Sequence, residues 1–271
     1  MSETIVAYKG FDKDLKCRGF QYEVGKEYEE PDAKACEKGF HACEMPLDVL
    51  SYYEPGKQSR YCVVEQSGVI SKHDDDSKVA SSKIKIGAEI GILGLVKAQI
   101  EYVKSRCTTN EVGKDNTALT GGSRSALTGG SRSALTGGSR SALTGGSRSA
   151  LTGGDGSALT GGDGSALTGG SRSALTGGSW SALTGGDGSA LTGGDGSALT
   201  GGSWSALTGG DGSVLYGGEG AKLRGGMWSV LAFQIWKNYK VVAVKTAVVD
   251  GETYKPDTWY TLKNGEIVET E

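Results

Sequence analysis

Proline and aromatic residues are scarce in this chain, with 4 prolines among 271 residues and aromatics at 7%. Glycine stands at 46 residues, far short of one in three, so a collagen-type triple helix is excluded. No run of about 18 apolar residues occurs, which excludes a membrane-crossing helix. Excess charge is missing too. The 32 acidic and 29 basic residues leave −3, so the chain as a whole has no bias towards nucleic acid or an anionic membrane. The opening Met1-Ser2-Glu3-Thr4-Ile5 lacks the basic start and apolar stretch of a secretory signal. Cysteines are few and confined to the first part of the chain (Cys17, Cys36, Cys43, Cys62, Cys107). An odd number without a signal is expected to mean reduced thiols in a cytoplasmic protein. Cys36, His41 and Cys43 lie close together, but a C-x6-C spacing is not that of a zinc finger or ribbon. Buried thiols beside an ordinary histidine are expected there, with no metal and no cofactor.

What the chain has in excess is repetition. The unit Ser-Ala-Leu-Thr-Gly-Gly-x-x is eight residues long. Its leucines are Leu119, Leu127, Leu135, Leu143, Leu151, Leu159, Leu167, Leu175, Leu183, Leu191, Leu199, Leu207, Leu215, Leu223 and Leu231, without a slip in register. Threonine follows at Thr120, Thr128, Thr136, Thr144, Thr152, Thr160, Thr168, Thr176, Thr184, Thr192, Thr200 and Thr208. The x-x pair is Ser-Arg, Asp-Gly or Ser-Trp, drifting to Glu219-Gly220 and Met227-Trp228. Thr109 to Asn116 fit the frame loosely, as a worn first unit.

A helix is excluded, because paired glycines in every unit each cost about 1 kcal/mol relative to alanine. A disordered linker has no use for leucine on an unbroken beat. Strand alternation points Ser and Leu to one face, and Ala and Thr to the other. Gly-Gly-x-x then supplies a turn. One strand and one turn, repeated, make a β-solenoid in which leucines of successive coils stack into a ladder about 4.8 Å per rung. Two octads per coil fill a narrow core with one Leu from each side, whereas three leave a triangular core hollow. The spacing of Trp180, Trp204 and Trp228, 24 residues apart, points to three instead. The expected fold is therefore mainly β: a capped β-solenoid at 109–232 with about two octads per coil. A small α+β domain at 1–108 precedes it, and a β-rich C-terminal cap at 233–271 follows.

These repeats resemble those of bacterial ice nucleation proteins, whose coil alternates two similar octads. The likeness covers residues 117–246. It includes Ser229-Val230-Leu231-Ala232-Phe233-Gln234-Ile235-Trp236 and Tyr239 to Thr246, which are similar to that family's C-terminal cap. The resemblance implies ordering of water or ice by outward threonines, and assembly through Arg-bearing coils. Here Ala replaces one Thr of the family's pair (Ala126 before Thr128) and the family's turn Tyr is absent. The N-terminal region resembles an uncharacterised domain of phage and enterobacterial proteins over about residues 5–103. Lys9-Gly10-Phe11-Asp12, Cys17-Arg18-Gly19-Phe20-Gln21-Tyr22 and Cys36-Glu37-Lys38-Gly39-Phe40-His41-Ala42-Cys43 carry that likeness.

In the flanks, Thr4–Tyr8, Arg60–Gln66 and Ser81–Ile90 are expected as strands and Pro46–Tyr53 as a short helix. Gly91–Cys107 is expected as an amphipathic helix capping the array through Leu93, Val96, Ile100, Val103 and Cys107. Later strands are expected near Phe233–Trp236, Lys240–Val249 and Trp259–Val268, with an Asn264-Gly265 hairpin turn. His73-Asp74-Asp75-Asp76 is expected as a loop. The recurring Asp-Gly pairs are turn formers, not a calcium cage, since Ala takes the ligand position. Arg124, Arg132, Arg140, Arg148 and Arg172, with Trp180, Trp204 and Trp228, are the candidate assembly surface. No nucleophile–base pair stands out. A non-enzymatic scaffold that associates with itself or displays a partner is the expected function. Ice or ordered water bound by the Thr ladder is the alternative. A nucleotide-related activity of the N-terminal domain is a further one, from a faint likeness of Gly39-Phe40-His41 and Tyr52-Tyr53 to ADP-ribosyltransferase folds.

Overall fold

The computed structural model describes residues 4–72 and 77–270. The segment from His73 to Asp76, expected as a loop, lies outside the described residues. The chain divides into two compact units, one ending at Ala98 and one beginning at Gln99.

In the first unit, strands β1 (Ile5–Phe11), β2 (Lys16–Cys17), β3 (Phe20–Gln21), β4 (Glu27–Glu29), β5 (Phe40–Cys43), β6 (Arg60–Lys72) and β7 (Lys78–Ile90) follow in order. The main sheet runs β4-β7-β5-β1-β6, and β7 also pairs with β6. The antiparallel sheet therefore closes on itself. Register shifts between Cys62 and Val64 and between Ser67 and Ile70 bend β6 against β7, as bulges do where a sheet must curl. Phe11, Phe40, Val64, Ile84 and Ile86 fill the core. Gln66 is fully buried there, and its Nε2 donates to the Phe40 carbonyl at 2.7 Å. Pro46–Ser51 forms a 3-10 helix rather than an α-helix and buries Leu47, Val49 and Leu50.

Helix α1 (Ile92–Ser105) spans the boundary between the units. Its buried stripe is Ile92, Leu95, Val96, Gln99 and Val103. Leu93, expected on that stripe, is exposed, because the buried face is rotated by one position. Within the second unit, Val103 packs on Ala142 and Ala158, and Gln99 Nε2 donates to the Gly156 carbonyl at 3.1 Å. The end of the helix thus covers an outward sheet face rather than the open end of the array, because small alanine side chains let it approach.

The second unit holds sixteen parallel-register strands, from β8 (Thr109–Val112) to β23 (Val230–Lys237). Even-numbered strands through β22 (Lys222–Arg224) form one sheet and odd-numbered strands the other. Leu127 stands opposite Leu143, and Leu135 opposite Leu151, so the coil is 16 residues. The rod has about eight coils, the worn first unit completing the first of them. Ser and Leu point inwards and Thr outwards, as the alternation requires. From Leu127 to Leu231 the leucines are at most 1% exposed. Leu119 is only partly buried. It stands on the outermost strand of its sheet, where no further rung covers it, and Glu111 takes the rung opposite Leu127. The inward serines are satisfied: Ser141 Oγ donates to the Gly122 carbonyl at 3.1 Å and accepts from Ser125 N at 3.3 Å.

At the C-terminal end the pairing turns antiparallel. Strand β24 (Lys240–Val248) folds back on β23 through Asn238-Tyr239, both left-handed. Strand β25 (Trp259–Lys263) pairs with β22, and β26 (Glu266–Thr270) pairs with β25 through the Asn264-Gly265 turn. Phe233, Val249, Tyr260 and Ile267 extend the leucine core to that end. Among the described residues no helix is long and apolar enough to cross a membrane.

Candidate functional sites

The sixteen-residue register decides where the turn residues go. Asn116, Arg132, Arg148, Gly164, Trp180, Gly196, Gly212 and Trp228 occupy successive turns along one edge of the rod. Arg124, Arg140, Gly156, Arg172, Gly188, Trp204 and Gly220 occupy the other. Tryptophans 24 residues apart therefore alternate between edges and do not stack. Every one of these positions has a left-handed backbone, for example Asn116 at φ 56°, Arg148 at 59°, Gly164 at 68° and Trp180 at 59°. Glycine adopts this conformation without strain, whereas any other L-residue pays about 1 kcal/mol or more. Five arginines and three tryptophans hold it nonetheless.

The Asp-Gly turns carry a bond that the repeat alone did not announce. Asp155 Oδ1 accepts from Ser171 N at 2.8 Å, and Asp163 Oδ1 from Ser179 N at 2.9 Å, one coil further on. Asp187, Asp195 and Asp211 do the same. The spacing of 16 between acceptor and donor was the available signal. On the first edge Trp180 lies over the next rung, where a Cβ on Gly196 would meet its ring at 2.6 Å. A cavity of about 430 Å³ between Arg132, Arg148, Asp163 and Trp180 opens on the same edge.

The two outward faces differ. On the odd-numbered sheet Ala134, Ala150, Ala166 and Ala182 are exposed together with Thr120, Thr136, Thr152, Thr168, Thr184 and Thr200. On the even-numbered sheet Ala142, Ala158, Ala174, Ala190 and Ala206 are buried, and Thr128, Thr144, Thr160, Thr176, Thr192 and Thr208 are half-buried. Only half of the threonine ladder therefore presents an open array.

In the first unit, three sequence motifs converge on one cavity of about 460 Å³. Lys9 and Gly10 come from β1, Cys17, Arg18, Phe20 and Tyr22 from the β2–β3 hairpin, and Cys36, Gly39, His41 and Cys43 from β5 and its approach. Gly10 is required because a Cβ there would meet the Tyr53 ring at 2.6 Å. Lys9 is only 5% exposed, and its Nζ donates to the His41 carbonyl at 2.8 Å and to Cys17 Sγ at 3.5 Å. Burial pulls the Lys9 pKa down, against the pull of Cys17 and Cys43. Burial also lowers His41, and the cations Lys9, Arg18 and Lys78 add to that effect. Both His41 nitrogens meet backbone: Nε2 accepts from Cys36 N at 3.0 Å and Nδ1 donates to the Gly39 carbonyl at 3.0 Å. A ring so engaged braces the loop before β5. Lys9, Arg18 and Tyr22 were visible in the sequence only as motif residues. Their concentration of charge and aromatic rings was the clue to a site.

Fold and sites together define a β-solenoid with a strand-built C-terminal end and an N-terminal α+β unit carrying a cationic pocket. Residues 5–98 match the family described as a domain of unknown function (DUF7666). That span includes all three motifs around the pocket and ends at the boundary between the units. No curated protein and no solved structure matches the chain.

Proposed function

We propose that the repeat region is a non-enzymatic scaffold that pairs with a second copy of itself along the edge bearing Arg132, Arg148 and Trp180. The order of charges along that edge supports this reading. Arg132 and Arg148 occupy early turns, and Asp195 and Asp211 later ones. An antiparallel, two-fold pairing brings Arg132 to the partner copy's Asp211 turn and Arg148 to its Asp195 turn, with the exposed Trp180 near the axis. Arginines and tryptophans held at strained positions, where sister turns use Gly, are also what a surface in use requires. The free cysteines fit a reducing compartment such as the cytoplasm.

Sedimentation velocity tests the pairing. The wild-type chain is expected to dimerise and to dissociate as salt rises. R132D/R148D and D195R/D211R are each expected to be monomeric, and their mixture to dimerise. A wild-type monomer at high concentration, or a charge-reversed variant that still dimerises, defeats the proposal.

A second reading is water or ice ordering, in line with the resemblance of the repeats to ice nucleation proteins. It is favoured by the open rows of Ala and Thr on the odd-numbered sheet. Droplets containing the protein are then expected to freeze at a higher temperature than buffer, and T152K/T168K on that face to abolish the difference. Freezing no warmer than buffer removes this reading.

A further inference from the structure

Apart from the scaffold, the pocket of the first unit has the composition of a ligand site. We propose that it binds a small aromatic anion, its phosphate or carboxylate head held by Lys9, Arg18 and Lys78 and its flat ring packed against Phe20 and Tyr52. The cavity of about 460 Å³ falls within the range usual for organic ligands. Among the described residues lining it, Glu30 is the one acid, set against three cations.

Lys9 is the strongest element of the argument. Its ammonium is buried with the His41 carbonyl, the Cys17 thiol and the rings of Phe11 and Tyr22, each 5.5 Å from Nζ to centroid, and no carboxylate pairs with it among the described residues. A buried cation is expensive unless an anion compensates it. A ligand anion in the adjacent cavity supplies that compensation. Arg18 adds a fork suited to phosphate or carboxylate from an exposed hairpin position. It is held at φ 51°, as Cys36 across the rim is at 66°.

The aromatic half of the ligand follows from the rings. Phe20 and Tyr52 line the cavity and are 50% and 48% exposed, unlike the buried Tyr22 beside them. Phe20 is set edge-on to Tyr22 at 4.8 Å, and Lys78 Nζ lies 4.4 Å over the Tyr52 ring. Cation and ring are thus already side by side, as recognition of a charged aromatic needs.

Isothermal titration calorimetry on the full chain decides the matter. The probes are adenosine monophosphate and nicotinate, with adenosine and nicotinamide as their uncharged counterparts. At least one anion is expected to bind about tenfold tighter than its neutral counterpart. The two arms tell a phosphate head from a carboxylate head. In alkaline buffer, binding is expected to take up protons, because the anion restores the charge that burial weakens on Lys9. Lys9→Met is expected to lower affinity about tenfold. Arg18→Gly relieves a strained backbone while removing the charge, so it folds, and it is expected to weaken binding comparably. Absence of binding by both anions at millimolar concentration overturns the proposal. So does equal binding of neutral and anionic probes, or an Arg18→Gly variant with unchanged affinity. The dimer test concerns the other unit, so the two readings fail independently.

Discussion

Leu175→Ala is expected to destabilise the repeat unit by about 3 kcal/mol in urea unfolding. Leu175 is fully buried in the middle of the ladder, with Leu159 and Leu191 on either side of it in its own sheet. Each coil contacts only its neighbours, so a cavity there weakens two interfaces at once and divides the rod. Leu119→Ala at the partly buried first rung is expected to cost less than half as much, roughly 1 kcal/mol. Leu175→Asp places a carboxylate where no donor waits, and loss of the cooperative sheet signal in circular dichroism is expected. Equal effects at Leu119 and Leu175 would show that the core is not a continuous ladder.

The second large effect has the opposite sign. Replacing Arg124, Arg132, Arg140, Arg148 and Arg172 together by glycine is expected to raise stability by roughly 3–5 kcal/mol. Each arginine sits near φ 59° in the left-handed region. Release of that strain, about 1–2 kcal/mol per residue, exceeds the extra freedom glycine brings to the unfolded chain, about 0.5–1 kcal/mol. Like charges one coil apart, Arg132 beside Arg148 and Arg124 beside Arg140, are also removed. The melting temperature is expected to rise by roughly 10 °C. Under the proposed pairing the same variant loses its dimer, so stability and association move in opposite directions. A melting temperature that stays put would mean that these turns are not left-handed in solution.

These two expectations differ in how early they were readable. Leucine at every eighth position states the ladder outright. A chain with Gly-Gly between three-residue strands has no other way to bury one leucine per unit. The preference for a 16-residue coil came from core volume, and parallel pairing of Leu127 with Leu143 bears it out. The strain at Arg148 was not readable, because Ser-Arg and Asp-Gly look like equivalent fillers until the backbone angle is known. The C-terminal strands were recognisable from alternation and the Asn264-Gly265 pair. Their reversal to antiparallel was not, since strand direction depends on which edge is free to receive them.

The helix shows the same division. Its existence near Gly91–Cys107 follows from apolar spacing. Its burial of Leu95 rather than Leu93, and its seat on Ala142 and Ala158, depend on a partner surface that periodicity does not contain. In the N-terminal unit, local motifs marked Lys9, Arg18, Tyr22 and His41 but gave no reason to join them. The residues are brought together by a sheet that closes through β6 and β7, a contact between strands far from the motifs themselves. By itself the amino-acid order settled the leucine ladder, because each coil meets only its like. The folded chain alone decided the pocket and the seat of the helix, where segments distant along the backbone meet only once, and the turn strain, because the side chain at a turn does not state its backbone angle.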